Sequence, residues 1–123
     1  MRYSLLLHNP EPAAGEISEE SMSAFKQAYQ AYTSSLAAAG VLRSADVLQP
    51  TTAATTVTVR NGTLEVQDGP FADTKEALAG MFIIEVDNLD AALAWAEQCP
   101  GAQYGVIEIR PTATAFLDGQ WSS

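Results

Sequence analysis

The chain has 123 residues, 47% of them hydrophobic and 17% charged, enough apolar content for one folded domain with one core and too little length for two. Fifteen acidic residues against six basic ones leave a net charge of -9 with no cluster of Lys or Arg, so direct binding to nucleic acid or to an acidic membrane surface is not expected. Cys99 is the only cysteine, which excludes an intramolecular disulfide, and the apolar run Leu5 to Leu7 is far too short for a secretory or membrane-spanning segment, so the chain reads as cytoplasmic.

The first element, "RYSLLLH" (Arg2 to His8), has strand character and is ended by "NPEP", whose prolines cannot donate to a ladder. Alternation puts Tyr3, Leu5 and Leu7 on one face and Ser4, Leu6 and His8 on the other. Ser18 then caps a helix with Glu19 and Glu20 in its first turn, and Met22, Phe25, Tyr29, Tyr32 and Leu36 recur at steps of three and four as its core stripe. Gly40 stops it.

A second strand is expected over Val41 to Pro50, with Ser44 and Ala45 interrupting its pattern. The stretch Thr55 to Gln67 reads as a hairpin, because Asn61-Gly62 supplies the two positive-φ residues of a type I′ turn. That loop pairs Val59 with Leu64 and Val57 with Val66, giving an apolar face that must be covered. Lys75 and Glu76 are expected to begin a short helical turn near Thr74.

"GMFIIEV" (Gly80 to Val86) reads as a central strand buried on both faces. Asp87 or Asn88 caps a second helix with a Leu89, Ala92, Leu93, Ala96 stripe, ended by Pro100-Gly101. Tyr104 to Arg110 is the last strand, and residues 112–123 form a tail.

Without the hairpin this order is βαββαβ, an α+β, ferredoxin-like arrangement in which two helices cover one face of an antiparallel sheet. The uncovered face is expected to carry Leu6 and Val106 beside Ser4, His8, Tyr104 and Glu108. Such a face is too apolar to be left wet and too polar for a core, so a homodimer packed sheet against sheet is expected, with a cleft between.

The run "DGPFADTKE" with "GMFIIEVDNLDAALAWAEQCPGA" and "GVIEIRP" downstream, together with "MRYSLLLH" and "AAGVL", resembles the YCII-related proteins, and in particular their DGPF-domain branch. The resemblance covers positions 1 to 111 and leaves the tail 112–123 outside it. It implies a dimeric α+β barrel, a scaffold that elsewhere hosts cofactor-free monooxygenases, isomerases and haem enzymes. Relatives of this kind are associated with a His and Asp pair, and DGPF-domain genes with neighbouring genes for extracytoplasmic-function sigma factors. No settled reaction comes with it.

Asp68 is the residue carried over by the motif, with Gly69, Pro70 and Phe71 around it. It has a structural use, as an Asp accepting a backbone N–H two residues on while Gly69 supplies unusual φ. It also has a functional one, as a general base aimed into the cleft with Phe71 as an apolar wall. His8, the only histidine, is the second acid/base candidate and is expected near Tyr104, with Glu108 on the same face. Lys75 could attract an anionic ligand.

There is no dense zinc cluster, glycine-rich phosphate loop, dinucleotide fingerprint or nucleophile elbow, and haem on His8 rests on fold analogy alone. No cofactor or metal is expected. The leading reading is a small-molecule binder with proton-transfer chemistry through Asp68 and His8. The alternative is a non-catalytic regulatory or interaction protein linked to a sigma factor.

Overall fold

Residues 1–12 and 15–122 are described by a computed structural model. Strand β1 (Arg2–Pro10) follows the alternation of its sequence, burying Tyr3, Leu5 and Leu7 and leaving Ser4, Leu6 and His8 half-buried. Helix α1 (Glu19–Ala38) is capped by Ser18, whose Oγ accepts from the Ser21 N–H at 3.1 Å. Gly40, at φ +74, ends it by letting its own N–H reach the Ala37 carbonyl and the Val41 N–H the Leu36 carbonyl. This is the Schellman closure, which a left-handed glycine makes without steric cost.

Strand β2 (Leu42–Val47) is followed by the hairpin of β3 (Thr55–Arg60) and β4 (Thr63–Asp68), then by β5 (Glu76–Glu85). Helix α2 (Leu89–Gln98), capped by the Asn88 side chain on the Ala91 N–H at 2.9 Å, leads through a 3-10 turn at Pro100–Gln103 into β6 (Val106–Pro111). The main sheet has the order β2-β5-β1-β6, and β1 is antiparallel to both of its neighbours. With both helices on one face, the fold is ferredoxin-like α+β.

One core joins sheet and helices: Leu5, Leu7, Phe82 and Ile84 meet Tyr32, Leu36, Ala92 and Ala96. Tyr32 and Phe82 pack edge to face at 5.2 Å. Fully buried Leu5, Leu36 and Ile84 each contribute about 1.5–3 kcal/mol by leaving water. Leu89 and Leu93 of the expected α2 stripe remain half exposed, so that helix seats on its alanines.

Several expectations are corrected. Only Tyr32 and Leu36 of the α1 stripe are buried, and Met22 and Phe25 stay exposed because the first half of the helix overhangs a groove. Strand β5 buries Gly80, Phe82 and Ile84 but leaves Met81 and Ile83 half-buried, since helices cover one face alone. Glu76 opens β5 opposite Pro10 instead of a helical turn, the Thr74 hydroxyl donating to its carbonyl at 2.6 Å.

The hairpin keeps the expected register, Val59 opposite Leu64 and Val57 opposite Val66, across Asn61 (φ 52) and Gly62 (φ 75). Its apolar face is covered by nothing: these four side chains are 57–62% exposed. In the tail, β7 (Phe116–Leu117) and β8 (Gln120–Trp121) form a second hairpin across Asp118 and Gly119, both at positive φ, with the Phe116 and Trp121 rings 5.4 Å apart.

Candidate functional site

The helix-free face of the main sheet is built by register. Opposed residues on antiparallel strands share a face, so Ser4, Leu6 and His8 lie beside Arg110, Glu108 and Val106 on one side and beside Ile83 and Met81 on the other. Ser44 and Asp46 complete it from β2. The centre is apolar, with Leu6, Met81 and Ile83, and the charged residues flank it.

On this face His8 Nε2 and Glu108 Oε1 are 3.1 Å apart, both half-buried. Arg110 Nε donates to the other oxygen, Glu108 Oε2, at 2.9 Å, and its Nη2 also contacts that oxygen. The Arg110 guanidinium, followed by the His8 hydrogen bond, holds the Glu108 carboxyl below the ordinary carboxylate range, although partial desolvation opposes this. An ionised Glu108 only accepts, so the His8 hydrogen bond requires a proton on Nε2, and in the neutral ring Nδ1 then carries the lone pair. The β1/β5 register slips between Leu7 and His8, with Ala79 the extra residue, and such a bulge re-aims neighbouring side chains.

Tyr104 is not part of this face. The 3-10 turn at Pro100–Gln103 consumes the residues before it, and Tyr104 caps that turn on the helix side. Its ring packs edge-on against Phe25 at 5.2 Å and its hydroxyl donates to the Tyr29 hydroxyl at 3.2 Å. Burial, then the Tyr104 hydrogen bond, pushes the Tyr29 phenol far above its ordinary value. Cys99 lies in the same knot, buried, with its thiol pushed up by desolvation.

Asp68 stands on the hairpin opposite Thr55, and among the described residues no hydrogen bond or ion pair joins it to His8. Its carboxylate accepts no side-chain hydrogen bond from the turn either. The residue two positions on is Pro70, which has no N–H to donate. The corner is closed instead by the Gly69 N–H on the Ala54 carbonyl at 2.8 Å and by the Thr56 hydroxyl on the Gly69 carbonyl at 2.7 Å. Gly69 is at φ +103, so its glycine is required there.

Phe71 is fully exposed on the segment after this corner, and Lys75 is exposed one residue before Glu76, at the His8 end of the sheet. The structure thus joins His8 and Glu108 and puts Tyr104 with Phe25 and Tyr29 on the helix side, and among the described residues no hydrogen bond or ion pair links Asp68 or Phe71 to either member of the pair. Arg110 is the member that sequence reasoning left out. Its signal was the i, i+2 spacing from Glu108 on one strand.

Among the described residues no three His, Cys, Asp or Glu side chains cluster as a metal site, and no helix is long and apolar enough to cross a membrane. The model of the YCII-related domain matches residues 1–114. An uncharacterised protein of Rhizobium meliloti (strain 1021) is 36% identical over 115 residues, covering 92% of this chain and 93% of that protein. A match over nearly the whole chain, carried by both comparisons, shows that the chain belongs to the YCII-related family.

Proposed function

We propose that two copies of the chain associate through their helix-free sheet faces and bind a small organic molecule in the cleft between them, where His8 acts on the ligand's proton. The motif at Asp68 to Phe71 supports placing the chain in the DGPF branch of its family. The observation that carries the reading is the His8, Glu108, Arg110 chain of contacts on an otherwise apolar sheet face. A face with an apolar centre and charged flanks has the composition of an interface that also holds polar chemistry.

Glu108, whose ionised form Arg110 favours, fixes the His8 ring through Nε2 and leaves Nδ1 to take the ligand's proton. This is the work of a carboxylate behind a catalytic histidine. Guanidinium N–H groups of Arg110 not engaged by Glu108 can hold an anionic group of the ligand, so weak carbon or oxygen acids are the class that suits the site. Asp68 plays no part in this pair.

The test is a thermal-shift screen of small carboxylic acids, phenols and ketones. At least one compound is expected to raise the melting temperature in a saturable way, and the shift should vanish in His8→Ala. If no compound shifts wild type, or the shift survives in His8→Ala, the reading fails.

A further inference from the structure

Besides the helix-free sheet face, two largely apolar surfaces of the protomer stand open among the described residues. One is the hairpin face formed by Val57, Val59, Leu64 and Val66. The other is a groove of about 1200 Å³ between α1 and the β2 edge of the sheet, walled by Leu7, Met22, Phe25, Tyr29 and Phe82. Met22 and Phe25 continue the core stripe of α1 beyond the point where the sheet can cover it.

The two surfaces match in size. The groove follows α1 from Met22 to Ala37, about 22 Å at the rise of a helix. Each hairpin strand has six residues and spans about 20 Å at the rise of a strand. Neither surface is strongly charged. By alternation the hairpin face carries one charged residue, Asp68 at its foot, and the groove carries two of opposite sign, Lys26 on its helix wall and Asp46 on its strand wall.

A protomer's own hairpin is held away from its own groove. Glu11 grips the hairpin's root, accepting from the Thr51 N–H at 2.9 Å and the Thr51 hydroxyl at 2.6 Å. The Leu48 N–H is fixed on the Ala79 carbonyl at 2.8 Å, and the Gly69 and Thr56 bonds lock the base. No residue between Val47 and Ala79 lines the groove. Folding back would break these contacts. A lone two-stranded hairpin with two open edges is marginal in water, so a lasting arm of this kind needs a cover from outside its protomer.

We propose that the β3–β4 hairpin is an exchange arm that docks in the α1–β2 groove of a second copy, reciprocally across a two-fold axis. Reciprocity follows because each copy carries both the arm and the groove. A net charge of -9 makes two copies repel, and the aliphatic stripe of the arm is a surface on which contact escapes that repulsion. The inference needs a second copy but not a ligand, and it is separate from the reading of the His8 face.

The test is covalent trapping by a short bis-maleimide, with buried Cys99 leaving wild type as the unreactive control. Val59→Cys, Met22→Cys and Ala37→Cys are made singly, and Val59→Cys is mixed with each groove variant after equilibration. A linked heterodimer is expected with the groove end at which the arm tip lies, at least tenfold above trapping with the other end. The double variants should give linked dimers.

Heterodimer yields no higher than either variant alone, at both ends of the groove, overturn the proposal. So does a double variant that links within one chain, which would put the arm in its own groove. Val59→Asp guards against a folding artefact. It should raise the dissociation constant of the dimer at least tenfold while its circular dichroism stays that of wild type, and an unchanged constant counts against docking. A dimer of normal mass that cannot be trapped removes the arm alone, whereas a failed ligand screen with successful trapping removes only the function proposed for His8.

Discussion

The Tyr32 hydroxyl donates to the Trp95 carbonyl at 2.8 Å, joining α1 to α2 across 63 residues of sequence. Trp95 lies in the last turn of α2, where the N–H four residues ahead, that of Cys99, is spent on the Ala96 carbonyl. Tyr32 supplies the missing donor from the neighbouring helix while its ring packs on Phe82 in the core.

Tyr32→Phe keeps the ring and removes that donor, leaving a part-buried carbonyl unpaired. The expected loss is about 1 kcal/mol, or roughly 3–5 °C in melting temperature for a domain of this size. Thermal unfolding of the variant measures it, and an unchanged Tm would mean that water already serves the carbonyl.

Glu108 should titrate below the ordinary glutamate range, because Arg110 first and His8 second stabilise its ionised form. Its folded pKa is depressed, so the stability it contributes is present above the ordinary glutamate range and is lost as pH falls through the lowered value. Arg110→Ala is expected to move the Glu108 midpoint upward, read by carbon-detected NMR of the carboxyl groups. A midpoint indifferent to the substitution would show that Arg110 does not govern it.

The corner after β4 depends on Thr56 and not on the acid of its motif. Thr56→Val removes the hydroxyl that holds the Gly69 carbonyl and should cost about 1 kcal/mol. Asp68→Ala removes no hydrogen bond of the corner and should leave stability within about 0.5 kcal/mol. Chemical denaturation of the two variants checks the order, and a larger loss from Asp68→Ala would return the corner to the carboxylate.

The parts of the fold that were legible are those set by local chemistry with one answer. Asn61-Gly62 admits one hairpin register, Ser18 and Gly40 bound a helix from both ends, and the alternation in β1 puts His8 on the open face. Tyr104 was misread because strand propensity begins at that residue, while the 3-10 turn from Pro100 that rotates it toward Phe25 depends on packing against Tyr29 and Asn9. Glycine at 101 and 105 makes that close approach possible, since a Cβ there would strike Tyr29, His8 or Asn9.

Glu108 could be placed from sequence, but its pairing with His8 depends on a one-step register between β1 and β6 that composition does not encode. The Asp118-Gly119 hairpin of the tail carried the same kind of signal as Asn61-Gly62. Its strands are two residues long, too short for alternation to reveal.

The central claim is that the helix-free face of the sheet, with His8 and Glu108, is shared between two copies. Sedimentation equilibrium of the wild-type chain and of Leu6→Asp tests it most directly, since Leu6 lies at the apolar centre of that face and outside the helix-side core. Wild type is expected at twice the chain mass of 13.1 kDa, and Leu6→Asp as a folded monomer or a dimer at least tenfold weaker. A wild-type monomer at millimolar concentration, or a Leu6→Asp dimer as tight as wild type, would contradict the account.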